Sequence, residues 1–149
     1  MSDPLYGKEL LRLAADAHGA GRLAEPDATG HAHNPACGDK VTIDVMLADG
    51  RIKAISQETK ACVLTQASAS ILGRSLNGAT RAEVELLRRM IETMLKTRGP
   101  SPPPPFGAFG ALRAAAAYPN RHRCVLLTID AVLAAFDESE ARKAGGVGT

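Results

Sequence analysis

Three cysteines and an aspartate are the residues of this chain best suited to chemistry. Cys37 lies in Asn34-Pro35-Ala36-Cys37-Gly38-Asp39, Cys62 in Lys60-Ala61-Cys62, and Cys124 in Arg121-His122-Arg123-Cys124. An odd number of widely spaced cysteines makes a poor disulfide framework and suits reduced thiols. Thiolates are soft ligands for zinc and for the iron of iron–sulfur clusters, and a tetrahedral site built on three of them needs a fourth donor. Asp39 is the first candidate, because it stands two residues from Cys37 and extended backbone would turn both side chains to the same side. His122, two residues from Cys124, is the alternative ligand. A carboxylate is a harder partner for iron than thiolate, which suits a cluster that is handed on. The absence of a CxxC pair points to a distributed site rather than a zinc ribbon. On spacing alone the opposite reading is stronger, since free cysteine is among the most buried residue types and scattered cysteines are commonly inert.

The elements that must position these residues can be read from pattern. Each cysteine falls at a boundary between elements, so the three side chains are expected to converge outside the core. Asp3-Pro4 starts a helix in which Leu5, Leu10, Leu11, Leu13, Ala14 and Ala17 recur until Gly19 and Gly21. Residues 29–33 suggest a short edge strand. Val41, Ile43, Val45 and Leu47 alternate with Thr42, Asp44 and Met46, the period of a strand with one buried face. Asp49-Gly50 supplies a tight hairpin turn, and residues 51–59 return as the partner strand, with adjacent Ala54 and Ile55 marking a bulge. Residues 63–76 form a small-residue helix stopped by Asn77-Gly78. Thr80 and Glu83 make a capping box before Val84, Leu87, Ile91, Met94 and Leu95. Residues 98–105 contain five prolines and read as an extended linker. Residues 106–117 predict another helix. The last runs over about 124–136, with Cys124 opening it, and 144–149 read as a disordered tail. Cys62 and Cys124 thus fall at helix N-termini, where unpaired N–H groups favour thiolate. The sum is one α+β domain over 1–149, a small antiparallel sheet of about three strands packed against several helices.

Composition narrows the function classes. With 149 residues, 45% hydrophobic and only 3% aromatic, the chain can build one aliphatic core. A formal charge of +2 argues against a nucleic-acid partner, which needs a concentrated basic face. No apolar stretch reaches the roughly 20 residues of a membrane span, and Met1-Ser2-Asp3-Pro4 does not begin a secretory signal, so a soluble cytoplasmic protein without a membrane partner is expected.

Asn34-Pro35-Ala36-Cys37-Gly38-Asp39 followed by a hairpin with Asp49-Gly50 resembles the first-cysteine region of the IscU, SufU and NifU amino-terminal family. Lys60-Ala61-Cys62 with Gln66-Ala67-Ser68-Ala69-Ser70 is similar to the second, and Arg121-His122-Arg123-Cys124 before an apolar helix resembles the third. Leu5-Tyr6 matches the family's opening, so the similarity runs from residue 5 to 136. Arg123 stands where IscU-type proteins carry His, and their Leu-Pro-Pro-Val-Lys chaperone motif is absent between Tyr118 and Cys124. With the separation of Cys62 from Cys124, these features resemble the SufU branch.

The resemblance implies a SufE/NifU-like fold and a role in iron–sulfur cluster biogenesis, as a scaffold or sulfur carrier with no independent metabolic activity. It implies that Cys37, Asp39, Cys62 and Cys124 bind Zn2+ or a labile [2Fe–2S] cluster. A cysteine desulfurase, SufS-like or IscS-like, would supply sulfur, and downstream assembly or recipient proteins would receive the product. Cys37 is the candidate sulfur acceptor, because Pro35 and Gly38 bound a turn that moves more easily than a helix start. Arg121 and Arg123 would stabilise thiolates or meet an acidic partner. Two other classes remain open: a structural zinc domain for protein interaction, and a cysteine-dependent hydrolase, for which His122 is present without the motif. Gly107 and Gly110 read as helix packing, the proline run as a spacer, and His18, His31 and His33 as solvent-exposed side chains.

Overall fold

The computed structural model describes residues 7–16, 19–35 and 38–147, with side chains described to Arg142. The expected helix start at Asp3-Pro4 lies outside these residues. Helix α1 spans Lys8–Asp16 and buries Leu10, Leu13 and Ala14, the i, i+3, i+4 stripe of an amphipathic helix. Strands β1 (Ala28–Asn34), β2 (Asp39–Ala48) and β3 (Arg51–Lys60) follow, then α2 (Val63–Ser75), α3 (Arg81–Thr97), short 3-10 segments at Gly107–Ala117 and Pro119–Arg121, and α4 (His122–Val147).

The sheet is an antiparallel meander ordered β1-β2-β3. Its turn has Asp49 at φ 53° and Gly50 at φ 76°, the left-handed pair that matches the twist of a two-residue hairpin. Pairing Met46 with Ala54 but Leu47 with Ile52 leaves Lys53 as the extra residue, so the bulge lies just before the expected Ala54 and Ile55. Alternation divides the strands into two faces. Val41, Ile43 and Val45 of β2 are buried on the face that carries the helices. Asp39 belongs to this same series, at the end of the sheet opposite Asn34.

Helix α2 runs through the centre and is buried on nearly all sides, which its small Ala, Ser and Gly residues permit. The capping box of α3 forms as the sequence indicates: Thr80 accepts from the Glu83 amide, and the Glu83 carboxylate accepts from the Thr80 amide. Helix α4 lies against both β1 and β2. Gly30 makes that contact possible, because a methyl group there would collide with the Ala131 carbonyl and the Ala135 amide nitrogen.

Two expectations are corrected. Residues 107–117 wind as 3-10 turns rather than an α-helix. Phe109, Leu112 and Ala115 are the buried residues, and a repeat of three places them in line on a helix with three residues per turn. Helix α4 does not stop near Phe136 but continues to Val147, so 144–147 are helical, and 148–149 lie outside the described residues. Tertiary partners hold the polar extension: Asp137 and Glu140 pair with Arg81, Glu138 accepts from the Thr29 amide, and Arg142 donates to the Asp27 carbonyl. Among the described residues no helix is long and apolar enough to cross a membrane.

Candidate metal centre

Three elements converge at one end of the sheet. Asp39 begins β2, Cys62 is the N-cap of α2, and Cys124 lies in the first turn of α4. One donor atom from each falls within 4.8 Å of the other two. Cys37 lies outside the described residues. Cys62 and Cys124 form no disulfide with each other.

The convergence is not outside the core. Cys124 is 0% exposed and joins the main apolar cluster, while Cys62 is partly buried and Asp39 is 4% exposed. The reason is that α4 begins at His122, so Cys124 is already inside the helix when the chain reaches the packed interface with α2.

Asp39 is anchored by neutral donors. Its Oδ1 accepts from the Cys62 amide at 3.2 Å, and its Oδ2 accepts from the Thr65 hydroxyl at 3.2 Å. The N-cap residue Cys62 makes no side-chain cap of its own. A carboxylate from another element therefore satisfies an orphan amide and lies at the positive end of the helix dipole. Thr65 Oγ1 is also 2.9 Å from the Cys124 carbonyl and 3.4 Å from Cys62 Sγ. Asn34 Nδ2 approaches Cys124 Sγ at 3.9 Å.

Two sulfurs and a carboxylate oxygen are chemically suited to zinc or iron. Ligands around a tetrahedral ion with bonds of about 2.3 Å lie about 3.8 Å apart. Donors already within 4.8 Å of one another therefore fit a metal after only a small contraction.

His122, the alternative ligand, is not in this group; its Nε2 is 3.3 Å from the Ala116 carbonyl, to which it can donate. Arg121 is partly buried and Arg123 is exposed. His31 and His33 are exposed, with His31 Nδ1 3.1 Å from Thr42 Oγ1, and His18 lies outside the described residues. Thr65 was not singled out by sequence reasoning. The available signal was the run of hydroxyl residues on α2: Thr65 reaches the Cys124 carbonyl and Ser68 the Val125 carbonyl at 2.9 Å, linking α2 to α4.

Residues 5–125 match the profile of the NifU-like N terminal domain family. The chain is 29% identical over 90 residues to the iron-sulfur cluster assembly scaffold protein IscU of Thermotoga maritima, a stretch covering 60% of this chain and 63% of that protein. Matches to two Archaeoglobus fulgidus proteins of the same description each cover 56% of those chains. The chain thus spans less than two thirds of the length of these relatives. The crystal structure of a NifU-like protein (N-terminal) from Brucella abortus superposes with a TM-score of 0.87 at 36% identity, covering 94% of this chain and 97% of that one. The FiSufU structure from Fervidobacterium islandicum AW-1 gives a TM-score of 0.78 at 20% identity over 89% and 96% of the two chains, a likeness of fold. A family match over most of the chain, joined to the α+β fold seen here, makes this chain a member of the NifU-like N-terminal domain family.

Proposed function

We propose that this chain serves iron–sulfur cluster assembly, as a scaffold or sulfur carrier whose working site is Cys37, Asp39, Cys62 and Cys124. One observation carries the reading: in a chain of this family, Asp39, Cys62 and Cys124 bring two sulfurs and a carboxylate within 4.8 Å of one another. The scaffold role named for the IscU relatives supports it. Asp39 is preferred over His122 as the oxygen or nitrogen ligand because its carboxylate belongs to the group and the imidazole does not.

The cargo would be a transient [2Fe–2S] cluster, or zinc would be resident. When zinc is bound, its cysteine ligands stay deprotonated. Arg123 before Cys124 and the missing chaperone motif favour the SufU branch, whose resemblance implies resident zinc and sulfur acceptance rather than a labile cluster. A SufS-like or IscS-like desulfurase would be the sulfur donor, in the cytoplasm, with downstream recipient proteins. In that step the Cys37 thiolate attacks the outer sulfur of the desulfurase persulfide; the donor S–S bond breaks, a new S–S bond forms on Cys37, and the donor leaves as thiolate. Arg121 and Arg123 flank the site in sequence and would meet an acidic partner surface. The chain is read as one domain with 98–105 as its linker.

Elemental analysis and absorption spectroscopy of protein purified without oxygen test this. One metal ion or one cluster per chain is expected, with most of it lost on changing any single cysteine to Ser. Full metal content in the triple Cys→Ser protein would overturn the site. Loss of metal in His122→Ala with none in Asp39→Ala would move the fourth ligand to His122. For sulfur transfer, mass spectrometry after incubation with a desulfurase and cysteine should find the persulfide first on Cys37; early modification of Cys62 or Cys124 instead would overturn that assignment.

A further inference from the structure

We infer that Thr65 is a positioning residue for this metal site, its hydroxyl fixing the orientation of the Asp39 carboxylate between the two thiols. This rests on the metal-binding reading given above and adds a residue outside the ligand set. Thr65 is 0% exposed, and its hydroxyl is within hydrogen-bonding distance of all three described site residues: Asp39 Oδ2 at 3.2 Å, the Cys124 carbonyl at 2.9 Å and Cys62 Sγ at 3.4 Å.

Among the described residues no lysine or arginine pairs with Asp39. The Cys62 amide holds only Oδ1, which leaves the carboxylate plane free to pivot about that contact. A second donor on Oδ2 sets the plane. Each oxygen then keeps unshared lone-pair capacity, so the group is oriented and still able to bind metal. The hydroxyl has a single proton and two fixed acceptors. That proton is shared between the Asp39 carboxylate at 3.2 Å and the Cys124 carbonyl at 2.9 Å, and the carbonyl, lying within α4, already has a helical N–H to serve it. Groups that orient metal ligands in this way commonly govern affinity.

The test uses Zn2+ competition against a chromophoric chelator, with Co2+ absorption as the report on ligand geometry, on the whole chain. Thr65→Val should bind both ions about 10–100-fold more weakly and shift the Co2+ d–d bands. Thr65→Ser, which keeps the hydroxyl, should stay close to wild type in both. A role in packing shape alone gives the opposite ranking, because Val preserves the packed shape and Ser opens a methyl-sized void, and a role only in the link from α2 to the Cys124 carbonyl would give the same loss with Asp39 present or absent. Ser68→Ala, which removes the neighbouring link from α2 to α4, should lower the unfolding midpoint without changing metal affinity. In an Asp39→Ala background, Thr65→Val should have no further effect on affinity. Should Thr65→Val fail to fold, Thr65→Ala against Thr65→Ser makes the same comparison. Wild-type affinity and spectrum in the hydroxyl-free variant, or an undiminished effect without Asp39, would overturn the inference alone. Wild-type protein that takes up neither ion would overturn the metal-binding reading and this inference with it.

Discussion

Asp39 and Asp44 occupy the same strand, are both buried, and face opposite sides of the sheet. Asp44 is fully compensated: Arg22 Nε and Nη2 donate at 2.7 and 3.1 Å, the Thr29 hydroxyl at 2.6 Å and the Leu23 amide at 3.1 Å. These contacts tie the segment before β1 across the outer face. Asp39 receives one amide and one hydroxyl, beside two thiols rather than a guanidinium. A buried carboxylate closed off by a cation is a structural joint. One held only by neutral donors is oriented and keeps lone pairs open to an incoming cation.

The largest stability effect is therefore expected from Asp44→Ala. It strands the Thr29 and Leu23 donors, at a cost of about 2–3 kcal/mol in denaturant unfolding, while half-exposed Arg22 can return to water and limits the loss. Metal uptake per folded molecule should be unchanged; a parallel loss of metal would break the contrast between the two aspartates. Asp39→Ala should cost about 1 kcal/mol, the usual worth of a helix cap, and should weaken metal binding instead. Equal stability losses with metal binding intact would make both residues structural.

Acid sharpens the same contrast. Burial alone would raise the Asp44 carboxyl, but hydrogen bonds from Arg22, Thr29 and the Leu23 amide, with the charge of Arg22, outweigh it and hold the group below its ordinary range. A folded-state value below the unfolded one gives stabilisation that is present above the unfolded pKa of about 3.9 and fades as pH falls through the folded value. The stability gap between wild type and Asp44→Asn should accordingly narrow below about pH 4 in urea titrations. A gap that is constant or widens would show that Asp44 is not held ionised in the fold.

Where structure depended on local pattern, it was legible in the sequence. The alternation of Val41, Ile43 and Val45, the Asp49-Gly50 turn and the Thr80–Glu83 capping box each specify their element within a few residues. The approach of Asp39 to Cys62 and Cys124 followed from the cysteine motifs, though the burial of Cys124 did not, because it depends on where α4 starts. Over residues 107–117 the alanine-rich run favours α-helix locally, whereas the buried face repeats every three residues and selects 3-10 turns. Helix α4 outruns its apolar pattern because its polar residues are held by Arg81, Thr29 and Asp27, all far away in sequence. Asp44 looked like the outward residue of an alternating strand, and only Arg22 and Thr29 reveal it as buried. Thr65 was hidden for a similar reason: a hydroxyl in a run of small residues reads as close packing until its three neighbours are known.

The contact of α4 with the bare backbone at Gly30 has a consequence for protein synthesis. Asp39 and Cys62 can meet as soon as the hairpin and α2 have left the ribosome, whereas Cys124 arrives only with the helix that docks on β1. At elongation rates of about 5–20 residues per second, the stretch from the end of α2 to the end of α4 takes roughly 4–14 s, during which the group is incomplete. Throughout that interval Cys124 is missing from the group, and Asp39, Cys62 and Cys124 come together only once α4 has locked onto the sheet.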